Sequence, residues 1–326
     1  MPPVDRHNPI RAMSSESDFS LMEFMREFPD DQSCLEHLWR ARYSDDGEHA
    51  DCPKCGREQV PFRRYATAQG RQSWTCTKCG HHIHPTAGTI FQGSSTSLQL
   101  WYYAMYLVTS TRCGISAKQL ERQIGVSYKT AWRMLNKIRN QLMTQDDEPL
   151  SGEVEADETH WGGEPHLGEV ERYRYEGETD LSGAGGRWKS DPANRQTVFA
   201  MVERGGRVKA FVVKDRKAAT LMPQITEHVL PESTIFTDEW PSYSGLRHSY
   251  FHRRIRHSEK VYVSGDVHTQ TIDGFFSNLK RGIAGTYHSV SSRWLQGYLN
   301  EFAWRYSHRS TSTRPMFDAL LARAAE

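Results

Sequence analysis

The chain has 326 residues, 37% of them apolar and 25% charged, and a formal net charge of +1. That length allows about two or three domains, and the composition is that of a globular protein rather than a disordered or fibrous one. The longest apolar run, Leu100–Val108, has nine residues, short of the ~20 a spanning helix needs. The start Met-Pro-Pro-Val-Asp lacks a basic-then-apolar leader, so neither a membrane nor export is expected.

Residues 1–18 are polar and read as a disordered tail. Phe19–Phe28 has apolar residues at helical spacing, and Pro29 ends that run. Asp30 or Asp31 can cap a second helix carrying Cys34, Leu35, Leu38 and Trp39, so residues 19–50 form an N-terminal helical segment.

The segment 51–92 holds Cys52-Pro-Lys-Cys55-Gly and Cys76-Thr-Lys-Cys79-Gly, with twenty residues between Cys55 and Cys76. Two-residue spacing lets a tight turn aim both thiolates at one ion. Two such knuckles make a closed tetrahedral site of the kind Zn²⁺ prefers, so Cys52, Cys55, Cys76 and Cys79 are expected to hold a structural zinc. Val60–Tyr65 and Gln72–Thr75 read as the strands of that ribbon. Cys34 and Cys113 are expected to be ordinary buried residues.

Residues 97–110 form an apolar helix. Ser116–Ile124, Gly125-Val-Ser127 and Tyr128–Leu135 then follow the pattern helix, turn, helix, placing a helix-turn-helix within 97–140. Ala131, Leu135 and Ile138 face inward. Lys118, Tyr128, Lys129 and Arg133 are left where a recognition helix meets bases and phosphates.

Residues 141–152 read as a linker, after which strands and helices alternate through 153–310. Glu153–Glu158 reads as a strand, and Thr197–Glu203 with Val208–Val213 as a hairpin. A helix over Ala218–Leu230, a strand over Ser233–Thr237, and helices over Thr271–Gly282 and Ser292–Arg305 follow. This is the element order of an RNase H-like α/β domain, with a Gly-rich insertion near 164–194 and a C-terminal tail or helix at 311–326. The whole is a multidomain α+β chain.

Charge is unevenly spread. Residues 52–80 carry six basic and one acidic side chain, and 112–139 seven and one. Residues 247–314 carry eleven and four, with six histidines besides, whereas 146–191 carry four basic and fourteen acidic. Basic blocks on a neutral chain suggest discrete surfaces for a polyanion. Arg253 and Arg254, with Arg256 and His257, read as a phosphate-contacting strand.

Asp157 closes the first strand of the α/β region, Asp238 ends a later one, and Asp273 opens a helix. Lys280 follows Asp273 by seven residues, two helical turns, and so shares its face. Three carboxylates so placed can hold two Mg²⁺ ions, with Mn²⁺ as a substitute; Lys280 would meet phosphate. His268, just before that helix, is a candidate for positioning water or phosphate. Trp240 and Tyr243 are expected in core packing, with stacking on bases as the alternative. Glu158 should point to the opposite strand face from Asp157.

These residues together resemble the zinc-ribbon transposases of bacterial insertion sequences, the insertion-sequence 1595 family. The resemblance runs from about Phe19 to Arg309. It is carried by Phe28-Pro-Asp-Asp31, the two cysteine knuckles, Asp157-Glu-Thr159 with Gly162-Gly163, and Thr237-Asp-Glu-Trp240. His268-Thr-Gln-Thr-Ile272, Leu279-Lys-Arg-Gly-Ile283, Glu301-Phe302 and Arg305-Tyr306 complete it. It implies an RNase H-like catalytic domain with a D-D-E metal triad, here Asp157, Asp238 and Asp273, followed by Lys280 and Arg281 toward DNA. The family's third acid is usually Glu; Asp273 is one methylene shorter, with Asn278 as a fallback ligand.

The implied activity is DNA transposition in the cytoplasm, at the nucleoid. Terminal inverted repeats are bound, the element end is cleaved by metal-dependent hydrolysis, and the 3′-hydroxyl is joined to target DNA. The DNA is double-stranded, and the pairing of two ends implies a homodimer or larger assembly. The alternatives are an inactive DNA-binding regulator and an RNase H-like nuclease or resolvase that cuts without joining.

Overall fold

The computed structural model describes residues 19–66, 72–161, 196–255 and 268–326. The expected tail at 1–18, the insertion near 164–194, and Arg256 and His257 lie outside the described residues. The chain divides into two compact units, Met1–Met143 with Arg309–Glu326, and Thr144–His308.

In the first unit, α1 (Leu21–Glu27) starts at Ser20, whose side chain and that of Glu23 satisfy each other's backbone N–H in a capping box. Helix α2 (Asp31–Tyr43) is capped by Asp30, which accepts from Ser33 N at 2.8 Å. Strands β1 (His49–Ala50), β2 (Val60–Ala66), β3 (Gln72–Cys76) and β4 (His82–Ile83) form an antiparallel sheet in sequential order. Its small core stacks Trp39 on Trp74, ring centroids 4.9 Å apart, beside Phe62, Ile83, Cys52 and Cys76. Helix α3 (Leu98–Ser110) is buried along most of its length.

Helices α4 (Ala117–Ile124) and α5 (Tyr128–Lys137) are capped by Ser116 and Ser127. Between them Gly125, at φ +68°, ends α4 in the left-handed conformation that favours glycine. Buried Leu120, Ala131, Met134 and Leu135 face inward. A π-helical turn, Ile138–Leu142, continues α5. Cys34 is buried, but Cys113 is exposed in the turn after α3, contrary to the expectation of burial.

The second unit is a five-stranded mixed sheet. It contains β5 (Glu153–Trp161), β6 (Gln196–Glu203), β7 (Val208–Val213), helix α6 (Ala218–His228), β8 (Thr234–Thr237) and β9 (Phe251–Arg254). The strand order is β7-β6-β5-β8-β9. Strand β6 is antiparallel to β5 and β7, while β8 is parallel to β5 and β9 parallel to β8. Helices α7 (Gln270–Gly282) and α8 (Leu295–Ser307) cover one face, burying Val198, Ala200, Phe275, Leu279 and Leu299. Helix α6 and the 3₁₀ segment Pro241–His248 cover the other, over Val154, Ala156, Phe199, Leu221 and Tyr243.

Strand β5 runs four residues past Asp157, which therefore lies within the strand rather than closing it. The expected linker 141–152 is not a free connection. Leu142 belongs to the π turn, Gln145 Nε2 donates to Ala210 O at 2.7 Å, and Leu150 is fully buried and pairs with Val229.

Helix α9 (Thr313–Ala325) belongs to the first unit. Phe317 is buried among Phe19, Phe24 and Phe28, at centroid distances of 5.2, 5.9 and 5.9 Å. Arg314 pairs with Glu27 and with Asp318. No helix among the described residues is long and apolar enough to cross a membrane.

Candidate functional site

The four knuckle cysteines converge. Their sulfurs all lie within 4.8 Å of one another, and Cys52 Sγ is 3.5 Å from Cys79 Sγ. Each knuckle is closed by a glycine N–H donating to the first cysteine's carbonyl: Gly56 to Cys52 and Gly80 to Cys76, both at 2.9 Å. Both glycines have positive φ, +64° and +70°. Burial pushes the Cys52 thiol up, but backbone N–H groups of Cys55 and Lys54 favour its thiolate more, leaving it at about 6. Four sulfurs so gathered, two of them buried, fit a single tetrahedral ion of zinc's kind.

The aspartates are set on the second unit's sheet. On β5, Glu155, Asp157 and Thr159 alternate onto the face that α7 covers, and Val154, Ala156 and Glu158 onto the other. Asp157 is largely buried, and burial pushes its carboxyl up to about 7. The neighbouring charges of Glu158, Asp238 and Asp273 push the same way; only the Glu158 N–H works against them. Asp238 follows β8 and accepts from Trp240 N at 2.9 Å. Asp273 is exposed in the first turn of α7.

Among the described residues, only the cysteines form a group of three or more ligating side chains within 4.8 Å; the aspartates stand more openly. A largely buried carboxylate whose strongest charged neighbours are other carboxylates is a donor set that a hard divalent cation fits.

Lys280 lies on the same side: its Nζ donates to Thr159 Oγ1 at 2.8 Å, two residues along β5 from Asp157. His268 Nδ1 lies 3.2 Å from Glu155 Oε1, and its carbonyl accepts from Arg204 Nη2 at 2.9 Å. Arg281 is turned back on its own helix, donating to Asn278 Oδ1 at 2.6 Å. Arg253 and Arg254 are exposed on β9, at the sheet edge.

In the first unit, Lys118, Tyr128, Lys129 and Arg133 are all exposed on α4 and α5. Lys118 pairs with Glu121 at 2.6 Å and lies 6.0 Å from the Tyr128 ring centroid.

Residues 149–307 match the ISXO2-like transposase domain. An uncharacterized transposase-like protein of Haemophilus influenzae is 32% identical over 103 residues, 31% of this chain and 82% of that protein. The chain belongs to the ISXO2-like transposase family. A second relative is an uncharacterized protein in the transposable element ISH50 of Halobacterium salinarum. It is 29% identical over 276 residues, 82% of this chain and 88% of that protein. The crystal structure of the Mos1 strand transfer complex overlays on 65% of this chain and 74% of that one. At 13% identity and a TM-score of 0.25, that overlay is too loose to equate residues.

Around the aspartates the structure adds contacts that the sequence does not spell out. Glu158 is almost fully buried on the α6 face, where Arg216 Nε donates to its Oε1 at 2.5 Å and the Tyr243 hydroxyl to its Oε2. Tyr243 is fully buried; Trp240 is 40% exposed, with the Arg216 guanidinium 4.3 Å over its ring. A cleft of about 390 Å³ opens there, lined by His160, Lys214, Arg216, Lys217 and Trp240 among others. Fully buried Glu155 pairs with partly buried Arg204, Nε to Oε1 at 2.8 Å. Alternation along β5 signals that Glu155 shares the face of Asp157, but nothing in the sequence pairs it with Arg204.

Proposed function

We propose that this protein is a DNA transposase that cleaves the ends of its element and joins the freed 3′-hydroxyl to target DNA. The observation that carries the reading is the charge around Asp157: a largely buried acid on the central strand, acted on by Asp238 and Asp273 from two other segments. The catalytic unit is read as RNase H-like. Its sheet order supports this, with β6 alone running against the other four strands.

Asp157, Asp238 and Asp273 would hold Mg²⁺, or Mn²⁺ in its place. Such ions supply Lewis acidity at the attacking and leaving oxygens of an in-line displacement at phosphorus. The chain's own residues do the rest. Asp157, whose carboxylate form burial and the neighbouring acids disfavour, would sit at the centre of the site. Lys280, anchored on Thr159, presents a point charge to a phosphate beside it. Arg253 and Arg254, exposed on the edge strand β9, would offer further phosphate contacts.

In the first unit, the cysteine ribbon would hold a structural zinc ion. Lys118, Tyr128, Lys129 and Arg133 would meet double-stranded DNA at the element's terminal repeats. Pairing of two ends would bring at least two copies of the chain together on bacterial or archaeal DNA in the cytoplasm.

The test uses purified full-length protein, a labelled duplex carrying the element's end, a target plasmid, and Mg²⁺ or EDTA. Joined product that needs metal and drops by about 1,000-fold or more in Asp157→Asn, with end binding retained, is the expected result. End binding without any cleavage or joining in Mg²⁺ or Mn²⁺ would replace this reading with a DNA-binding regulator. Cleavage without joining would replace it with a nuclease.

A further inference from the structure

Glu155 has no exposed surface, yet it carries a carboxylate. Its Oε2 accepts from the backbone N–H groups of Thr271 at 2.8 Å and Ile272 at 3.0 Å. Its Oε1 accepts from the Thr271 hydroxyl at 2.9 Å and from Arg204 Nε at 2.8 Å. Helix α7 has no side-chain cap of its own, since Thr269 at its N-cap makes no such bond. The orphan donors of its first turn are therefore satisfied from β5, by a full negative charge that also suits the positive end of the helix.

Arg204 extends this joint. Its Nη1 is 3.1 Å from Glu153 Oε2, its Nη2 donates to the His268 carbonyl at 2.9 Å, and its guanidinium lies 3.9 Å over the Phe236 ring. Glu153 and Glu155 are on the strand of Asp157, Phe236 is two residues before Asp238, and His268 five before Asp273. One ion pair thus touches all three segments that carry the aspartates. Farther along, Lys280 is tied to Thr159. Because residues 155, 157 and 159 share one face at steps of about 6.7 Å, Asp157 lies between two cross-links to α7. Asp273 follows directly on the two residues whose N–H groups Glu155 holds.

We propose that Glu155, with Arg204 as its counter-ion, is a positioning residue that fixes Asp273 against Asp157 for metal binding. This rests on the reading of the aspartates as metal ligands. A buried ion pair adds little stability over well-packed apolar residues of the same volume. What its directional bonds supply is one fixed placement of α7. Residues that hold metal ligands in place typically change metal affinity by about 10–100-fold when altered.

The test is a Mn²⁺ titration of the zinc-loaded full-length protein, reading free Mn²⁺ by electron paramagnetic resonance. Wild type is expected to bind and Asp157→Asn to lose binding. Glu155→Gln keeps the size but turns an amide nitrogen toward a donor. It is expected to bind about tenfold or more weakly, with end binding in EDTA unchanged. In an Asp273→Asn background the same change should have less than about a twofold effect, because Glu155 acts through Asp273.

Wild-type affinity in Glu155→Gln, or equal weakening in both backgrounds, overturns the proposal. If wild type and Asp157→Asn bind alike, the metal-ligand reading itself falls and the proposal with it. Should Glu155→Gln fail to fold, Arg204→Lys and Thr271→Val each remove part of the same joint; unchanged affinity in both overturns the proposal.

Discussion

The proposed cysteine site would draw its four ligands from residues 52–79, whereas the proposed aspartate site would draw three from residues 157–273. In the ribbon, each pair of ligands is aimed by its own turn, and the backbone bonds from Gly56 and Gly80 make that aim local. The sulfurs end within 4.8 Å of one another. The aspartates come from a strand, the end of a second strand and the first turn of a helix. The contacts proposed to hold them in place lie outside their own motifs: Glu155, Arg204 and the Lys280–Thr159 bond. A site made by local turns depends on its ligands and little else. A site assembled across segments depends on residues that never touch the ligand.

The largest effect expected from this contrast is on the ribbon. Bound zinc is worth about 10–16 kcal/mol in small metal-dependent folds, more than the few buried side chains around Trp39 and Trp74 can replace. Cys52→Ser or Cys76→Ser should therefore lose the zinc, measured as metal per chain, and open the ribbon to proteolysis. Mn²⁺ binding at the aspartates should be unchanged. Loss of both metals together would break the contrast.

A smaller effect is expected from pH. Asp157 is held at about 7 against an ordinary 3.8, so the native state keeps its proton to higher pH than the unfolded chain does. Its contribution to stability is full below about 3.8 and is lost as pH rises through about 7, by about 4 kcal/mol in all. In EDTA, the Tm difference between wild type and Asp157→Asn should therefore grow in the mutant's favour from pH 4 to pH 8. Divalent metal should shrink it. A difference that stays flat across that range would show that neither burial nor the acids around Asp157 raise its carboxyl.

The smallest effect concerns the first unit's surface. Lys129 is exposed on α5 and Arg133 lies one turn on. Replacing Lys129 with Ala should weaken end binding at every sequence alike and reduce the salt slope by about 1. Zinc content and Mn²⁺ affinity should stay as they are. A change confined to one base position would make Lys129 a reader of sequence rather than a phosphate contact.

What was legible in the sequence follows the same division. The helix start at Asp30 or Asp31, the helix-turn-helix segments, the knuckles and the hairpin are set by neighbours within a few residues. Most expected elements stand within about two residues of those observed, but β5 runs three residues past Glu158 and the α-helix expected from Ser292 begins at Leu295 after a 3₁₀ turn. The three aspartates and Lys280 could be picked out because a strand end, a helix start and a seven-residue interval are also local signals. Cys113 was misplaced, because apolar character alone does not bury a residue in the turn after α3. The ion pair of Glu155 and Arg204 could not be read, since 48 residues separate the two and no periodicity links them. The seating of Leu150 beside Val229 was hidden for the same reason.

Phe317 has a further consequence. The aromatic cluster it shares with Phe19, Phe24 and Phe28 ties the two extremes of the described chain into one unit, and the α/β unit is spliced into the sequence between them. On the ribosome, the helices that come out first must therefore wait for α9, synthesised after the whole of the α/β unit. A nonsense codon ahead of α9 would leave the aspartate site encoded in full and damage the ribbon-bearing unit instead.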